Sequence, residues 1–396
     1  MTPQVENKNK VHLGIDIGTS SVKCCARQGV VILCNFAQSY EKDCGATQDA
    51  VHVLQTALAV IHKTCEEVHL PIDDVWICGQ MHGVVLWKAE SLRDGYARET
   101  FISSPLYNWM YDYEDKIFLK TLPRCDSCEV HPGYGMATLV YLAQKDPENL
   151  KRFDRCGTIM DLFANVLCHR DDVVMGRQNA QSWAFCQEDS WQSDVVSLLP
   201  EHLRLPRIEP KDGVVGEAQV KKLKGATVHV PSGDLQASVA SLRFHSKTAY
   251  LVLGTSAQLC TAVEENSPDL NRLPPCVVNL PFVDRKRLLA ARSMNGGNAI
   301  ESFLKVKLRS KKIFLPDELE MMDAAHEGIV ENIFSMFPLE SLQQLGVSRI
   351  VLIGSADEPR FARHVRRRVD GFLQVTDEPN VVSAALGATL LTTPHV

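Results

Sequence analysis

The sequence predicts an α/β protein made of two related domains flanking a central cleft. Three observations carry that expectation. The stretch Ile15-Asp-Ile-Gly-Thr-Ser-Ser-Val22 returns as Leu251-Val-Leu-Gly-Thr-Ser-Ala-Gln258. The two copies lie more than half the chain apart, too far for a solenoid repeat, so each belongs to a domain of its own. Apolar strands, small-residue turns and helical periodicities alternate along both halves, the order expected of layered α/β domains. At 396 residues and 45% hydrophobic content, the chain is long enough for about two domains with filled cores.

In the first half, Val11, Leu13, Ile15 and Ile17 alternate with His12, Gly14, Asp16 and Gly18. This period of two predicts a strand with one face in a core, leaving Asp16 on the open face. Gly18-Thr19-Ser20-Ser21 then makes a tight turn before a second strand from Val22. Its hydroxyls and N–H groups can converge on a phosphate, although by itself the stretch also suits an ordinary hairpin. Helical spacing runs over residues 48–68, and a strand at 75–78 ends in Gly79-Gln80-Met81-His82-Gly83. Further helices are expected around 136–145 and 159–168 and a strand over 226–230. Gly233 breaks the chain there and Asp234 opens a helix, a position where helix capping is the plain alternative to chemistry.

The second half repeats the scheme. Strands are expected over 248–253 and 288–292, the latter leading to Asn295-Gly296-Gly297-Asn298. Residues 322–345 carry helical periodicity. Arg349-Ile-Val-Leu-Ile-Gly354 is a buried strand running into Ser355 and a helix, the arrangement by which α/β folds present backbone to a nucleotide. The expected organisation is a tail over residues 1–10, one domain over 11–245 and a second over 246–396. No Gly-x-x-x-x-Gly-Lys-Ser/Thr occurs, which disfavours a P-loop fold.

A formal net charge of −6 gives no electrostatic reason to expect nucleic acid or an anionic membrane. The polar opening MTPQVENKNK is no secretory signal, and no apolar run approaches the roughly 20 residues of a membrane span. A soluble, cytoplasmic protein with a small-molecule partner is expected, and a homodimer stays open. The 13 cysteines are scattered and read as reduced core thiols. Cys125, Cys128 and His131 have the spacing of part of a zinc site without a convincing fourth ligand. The basic stretch over 360–368 reads as the solvated face of a helix.

Phosphoryl transfer asks for a phosphate cradle, a metal and a base placed at the attacking hydroxyl. Gly18, Thr19, Ser20 and Ser21 form one candidate cradle, with Lys23 adding positive charge, and Gly254, Thr255 and Ser256 form the other. Asp16 can hold Mg²⁺ directly or through water, whereas the second copy carries Val252 at that place. Asp234 is the candidate base, and such a base works by position more than by resting basicity.

With these pieces placed, the chain resembles the FGGY carbohydrate kinases, most closely their sedoheptulokinase branch, from about residue 11 onward. The carriers are GIDIGTSSVK at 14–23, GQMHGVVLW at 79–87, PGYGMATLVYL at 132–142, TIMDLF at 158–163 and RQNAQSW at 177–183. GDLQAS at 233–238, LGTSAQL at 253–259 and SMNGGN at 293–298 complete the series. The resemblance implies an actin-like ATPase (ribonuclease H-like) fold in each domain, ATP and Mg²⁺ as cofactors, and transfer of the γ-phosphoryl group to a sugar hydroxyl. It makes Asp234 the base, gives Gln80, Met81 and His82 to the sugar site with Trp109 and Asn179 as further contacts, and gives Gly296, Gly297, Gly354 and Ser355 to the nucleotide. For a sedoheptulokinase the product is sedoheptulose 7-phosphate, which enters the pentose phosphate pathway.

Two departures from the family pattern stand out. Its Trp-x-Asp-x-Arg reads Trp109-Met-Tyr111-Asp112-Tyr113 here, replacing a carboxylate and a guanidinium by phenols. The second domain is shortened, with a segment missing near 305–321. These departures motivate a second reading, a catalytically weak or inactive sugar- or protein-binding relative. An FGGY kinase for another ketose or polyol stays open as well. An actin- or Hsp70-like ATPase would share the first phosphate turn but gives no role to Gly79–Gly83 or Asp234.

Overall fold

The structure is a computed structural model that describes residues 9–41, 45–126, 128–187, 189–209, 213–242, 245, 247–254, 256–282, 286–293, 295–308, 316–376 and 383–391. The chain divides into two units. The first holds the residues up to Ser241 and a segment that returns from Ser383; the second begins at Leu242.

In the first unit, β1 (Val11–Ile17), β2 (Ser21–Gln28) and β3 (Val31–Ser39) pair antiparallel in succession. Helix α1 (Ala50–Val68) then leads to β4 (Asp74–Gly79), which lies parallel to β1 on its other side. Helices α2 (Gly135–Lys145), α3 (Ile159–Cys168) and α4 (Arg177–Ser182) follow. Strands β5 (Val214–Glu217), β6 (Thr227–His229) and β7 (Ser232–Gly233) return to the sheet before α5 (Asp234–Ala240). The strand order is β5-β6-β4-β1-β2-β3, with β7 also on β4.

Local chemistry fixes these helices. Asp49 caps α1, its Oδ1 accepting from Val51 N and His52 N at 2.9 and 3.2 Å, and His69 closes it in the left-handed conformation at φ 53°. Thr158 and Asp161 form a reciprocal capping box at the start of α3, a device worth about 1 kcal/mol. Val53, Leu54, Ala57, Val60 and Ile61 bury one stripe of α1 beside Leu13, Ile15, Ile17, Val75 and Ile77 of the sheet. Each such aliphatic side chain contributes about 1.5–3 kcal/mol on leaving water.

The second unit repeats this connectivity. Strands β8 (Thr248–Leu253), β9 (Ala257–Glu264), β10 (Val277–Pro281) and β11 (Lys286–Ser293) precede α6 (Gly297–Leu308). Then come α7 (Pro316–Met336), α8 (Leu339–Gln344), β12 (Arg349–Gly354), α9 (Pro359–Val369) and β13 (Gln374–Thr376). The order is β10-β11-β9-β8-β12-β13. β8 is antiparallel to β9 and parallel to β12, as β1 is to β2 and β4. Each unit thus has the expected actin-like topology. The junction expected near 305–321 falls partly on residues 309–315, outside the described residues.

Two sequence expectations are corrected. Residues 383–391, expected in the second domain, form α10 (Ala384–Ala388) and its flanks in the first unit. That helix explains the second correction: the face of β1 carrying Asp16 is not open, because every residue of the strand is buried. α10 is built of small residues and lies so close that a Cβ on Gly14 would stand 1.7 Å from the Ala385 carbonyl oxygen. The basic stretch of α9 does lie on a solvated helix face, as expected, and carries ion pairs as well. Arg363, Arg367 and Arg368 pair with Asp323, Glu327 and Glu331 of α7, whose four-residue spacing puts them on one helix face. Among the described residues, no helix is long and apolar enough to cross a membrane.

Candidate active site

The turn between β1 and β2 is closed by Gly18 N donating to Ser21 O at 3.0 Å. Side chains hold it from three directions. Gln48 Nε2 donates to Thr19 O at 2.9 Å, Trp109 Nε1 to Thr19 Oγ1 at 2.9 Å and Tyr40 Oη to Gly18 O at 3.2 Å. Gln80 Nε2 reaches both Gly18 O, at 3.3 Å, and Gln48 Oε1, at 3.1 Å. Trp109 and Gln80, both expected at the sugar site, thus also brace this turn.

Asp16, at the end of β1, is 4% exposed. Burial pushes its carboxyl above the ordinary carboxylate range, and Lys23, with Nζ 3.5 Å from Oδ2, only partly opposes this. Its Oδ1 has no hydrogen-bond partner. A buried carboxylate oxygen left this way costs free energy unless something positive meets it.

The parallel register brings Asp234 to the same end of the sheet. Asp16 lies beside Cys78, and Cys78 beside Ser232, so Asp16 and Ser232 are two strand spacings, about 10 Å, apart. Asp234 follows two residues later, in the first turn of α5, with Leu235 N donating to its Oδ1 at 2.7 Å. The intervening Cys78 thiol is held well above its ordinary range by burial first and then by the charges of Asp16 and Asp234. Two carboxylates thus stand at the carboxyl ends of parallel strands, where open α/β sheets bind ligands.

The GQMHG segment reaches the same place. Met81 lies on Gly233, where a Cβ would come within 2.4 Å of its sulfur. His82 is held at φ 72°, a strained left-handed value that marks sites with a task. Its Nδ1 faces Ser182 O at 2.7 Å, which makes that nitrogen the donor, and its ring stacks on Tyr134 at 4.5 Å. Gly133 and Gly135 flank Tyr134 because a Cβ at either would strike a tryptophan, Trp109 backbone in one case and the Trp183 ring in the other, both at 2.3 Å.

Asn179 is fully buried, with Nδ2 donating to Pro231 O at 3.2 Å and Oδ1 unpartnered. Tyr113 is a core residue, stacked on Tyr141 at 4.7 Å and bonded to Thr138 Oγ1 at 3.1 Å. Its phenol is pushed up to about 12 by burial. Asp112 does not replace the missing carboxylate, since it is exposed and pairs with Lys116.

In the second unit, Gly254 N donates to Ser256 O at 3.0 Å, one residue nearer than in the Gly18–Ser21 bond, and Gly297 N donates to Gly254 O at 2.8 Å. Gly296 N is received by Asn298 Oδ1 at 2.9 Å. Gly354, at φ 64°, ends β12 beside β8, and Ser355 starts a short turn after it. Gly254, Ser256, Gly296, Gly297, Gly354 and Ser355 are therefore brought to one end of the second sheet. Thr255 lies outside the described residues.

The sequence reading missed several groups. Gln48, Ser182 and Tyr134 position site residues although none is itself a motif's chemistry-bearing member. Gln178 Nε2 and both amide atoms of Gln236 are buried without partners. The motifs that yielded Asn179 and Asp234 contain both glutamines, so the signal was present but carried no titratable group to draw attention.

The residues suit a magnesium–nucleotide complex. Among the described residues no group of three His, Cys, Asp or Glu side chains could hold a metal; a Mg²⁺ held by Asp16 would complete its shell with water and the ligand's own phosphates, the usual manner of that ion. The unpartnered Oδ1 of Asp16 fits that role.

Residues 11–239 match the model of the FGGY family of carbohydrate kinases, N-terminal domain. The chain is 29% identical over 427 residues to the sedoheptulokinase of Mus musculus, covering 87% of this chain and 90% of that one. It is 29% identical over 433 residues, with the same two coverages of 87% and 90%, to the sedoheptulokinase of Homo sapiens. Among solved structures, glycerol kinase of Plasmodium falciparum with ADP superposes with a TM-score of 0.76 at 14% identity, covering 98% of this chain and 90% of that one. The chain belongs to the FGGY family of carbohydrate kinases.

Proposed function

We propose that this protein phosphorylates a ketose with ATP, with sedoheptulose as substrate and sedoheptulose 7-phosphate, an intermediate of the pentose phosphate pathway, as product. The observation that carries the reading is the register that brings Asp16 and, just past β7, Asp234 to the same end of the sheet on either side of β4, with Met81 against Gly233, in a chain 29% identical to sedoheptulokinases. Bound Mg·ATP supplies the phosphoryl group and neutralises its charge. The turn Gly18–Ser21 and Lys23 orient phosphate, and Asp16 holds the metal. Gly254–Ser256, Gly296, Gly297, Gly354 and Ser355 receive the nucleotide. Gln80, Met81, His82 and Asn179 orient the sugar, and Trp109 fixes the turn. Asp234 accepts the proton of the attacking hydroxyl as the new P–O bond forms.

The test is ADP release with Mg·ATP across a panel of ketoses and polyols. Sedoheptulose should give the highest kcat/KM, and Asp234→Ala should lower kcat by about 10²–10⁴. An unchanged rate in Asp234→Ala removes that residue from the mechanism.

A second reading, a binding protein of weak activity, has its own observation. The alignment of 427 positions exceeds the 87% of the 396-residue chain taking part, so part of the relative's sequence has no counterpart here. Thermal stabilisation by sugar with none by Mg·ATP favours this reading.

A further inference from the structure

Cys125 and Cys128 have no role in the proposed chemistry, and their surroundings are unlike those of the core thiols. Cys24, Cys78, Cys156 and Cys260 are buried, whereas Cys125 is half-buried and Cys128 exposed. Their sulfurs are 4.0 Å apart, a gap that side-chain rotation can close to the roughly 2 Å of a disulfide.

The framework around Cys125 is fixed. Gln192 clamps the residues on either side, its Nε2 donating to Arg124 O at 2.8 Å and its Oε1 accepting from Asp126 N at 3.2 Å. Gln187 Nε2 adds a bond to Asp126 Oδ2 at 2.7 Å. Phe185 N donates to Cys125 Sγ at 3.2 Å, aiming the positive end of an amide dipole at that sulfur. Ala184 and Phe185 carry φ values of 64° and 53° to do so. One sulfur is thus anchored while the other is reachable from solvent, the arrangement of an attacking and a resolving thiol.

We propose that Cys125 and Cys128 are a reversible dithiol–disulfide pair. With oxidised glutathione as the oxidant, a thiolate of the pair attacks the glutathione S–S bond, forming a mixed disulfide and releasing one glutathione thiolate. The second cysteine loses its proton, attacks the protein sulfur of the mixed disulfide and releases the second glutathione. Two electrons pass from the two cysteines to glutathione, and the product is the Cys125–Cys128 bond.

The pair is joined to His82 from both sides. Cys128 begins the segment that carries His131 and Tyr134, whose rings lie 5.6 Å apart and the second of which stacks on His82. Cys125 receives Phe185 N, three residues from the Ser182 carbonyl that His82 meets. Closing the pair therefore changes sugar affinity, a part of the inference that rests on the kinase reading above.

The full chain is equilibrated in glutathione buffers of graded ratio, alkylated after denaturation and mapped by mass spectrometry. Loss of two alkylatable thiols, both mapped to Cys125 and Cys128, is expected. Cys128→Ser, at an exposed position, should abolish that loss without disturbing the fold, and Cys125→Ser should do the same. Pairing of Cys125 with Cys186, which lies near enough for their charges to interact, or a glutathione adduct that never resolves, overturns the proposal. A KM for sugar that differs at least threefold between oxidised and reduced protein, and not in Cys128→Ser, supports the coupling; an equal KM overturns it. If the reduced protein turns over no sugar, the kinase reading fails while the mapping still decides the pair.

Discussion

The sulfur of Met81 lies against the α-carbon side of Gly233, one residue before Asp234, and the buried Gln236 amide meets the same point. A methyl group at position 233 would stand 2.3 Å from Gln236 Oε1 and 2.4 Å from Met81 Sδ. Both atoms are the ends of flexible side chains, but both side chains are buried, so making room for a methyl group repacks the start of α5.

Gly233→Ala should therefore act on catalysis more than on stability. The overpacking cost is about 1–3 kcal/mol, and a displaced helix start would carry Asp234 away from the hydroxyl it is proposed to deprotonate. A kcat lowered at least tenfold, with a melting temperature within several degrees of the parent, is the expected outcome in parallel ADP-release and thermal-unfolding measurements. A wild-type kcat would mean that the position of Asp234 is not set by Gly233.

Asp16→Asn should separate function from stability. The native carboxylate is buried, its Oδ1 lacks a partner, and burial outweighs the help of half-exposed Lys23. Because the folded-state affinity for the proton is raised, the carboxylate disfavours folding increasingly as pH rises. The amide removes that cost and also removes the anionic ligand proposed for the metal. At pH 8 the variant should unfold at higher temperature than the parent while turnover falls at least a hundredfold. A variant both less stable and fully active would refute the role given to Asp16.

Much of the framework was legible because local physics repeats in sequence. The alternation at Val11–Ile17, the Asp49 and Thr158 caps and the doubled Gly-Thr-Ser turn each fix an element through neighbours a few residues away. What escaped depends on distant partners. The face of β1 carrying Asp16 looks solvent-facing until α10 covers it from the far end of the chain, and α10, five residues of alanine and glycine with the single larger Leu386, has no amphipathic signal. The bond from the Trp109 N–H to Thr19 escaped because an aromatic side chain does not reveal which of its edges is used. The ion pairs of solvated Arg363 and Arg367 and of Arg368 escaped because their acids lie on a helix some 40 residues earlier.

The close approach of α10 has a consequence for the C-terminal segment. Gly14 faces the Ala385 carbonyl and Gly387 the Ala237 carbonyl, each with 1.7 Å left for a Cβ. Buried Arg27 ties the segment down, donating from Nε to Thr389 Oγ1 at 2.6 Å and from Nη2 to Thr389 O at 2.7 Å. Gly14→Ala should cost about 3 kcal/mol, the upper end for overpacking against backbone that cannot shift, and should release the segment to limited proteolysis after Ser383. Retained protease resistance in Gly14→Ala would count against this contact.

The capping box of α3 makes stability depend on pH with a calculable sign. Asp161 is fully buried, and Thr158 N and Oγ1 donate to its Oδ2 at 2.8 and 2.7 Å while Oδ1 has no partner. Desolvation raises its carboxyl from 3.8 to about 7, the Thr158 bonds only partly opposing it. From roughly pH 4 to 7 the folded state therefore binds a proton that the unfolded state has lost, so this group's contribution falls as pH rises through that window and is constant above it. Asp161→Asn keeps an oxygen for both Thr158 donors and cannot ionise. Urea unfolding at pH 5 and pH 8 should show the variant gaining on the parent as pH rises, since the remaining titrating groups cancel in the difference. A difference that does not change with pH would mean that Asp161 is ionised throughout, held by groups other than Thr158.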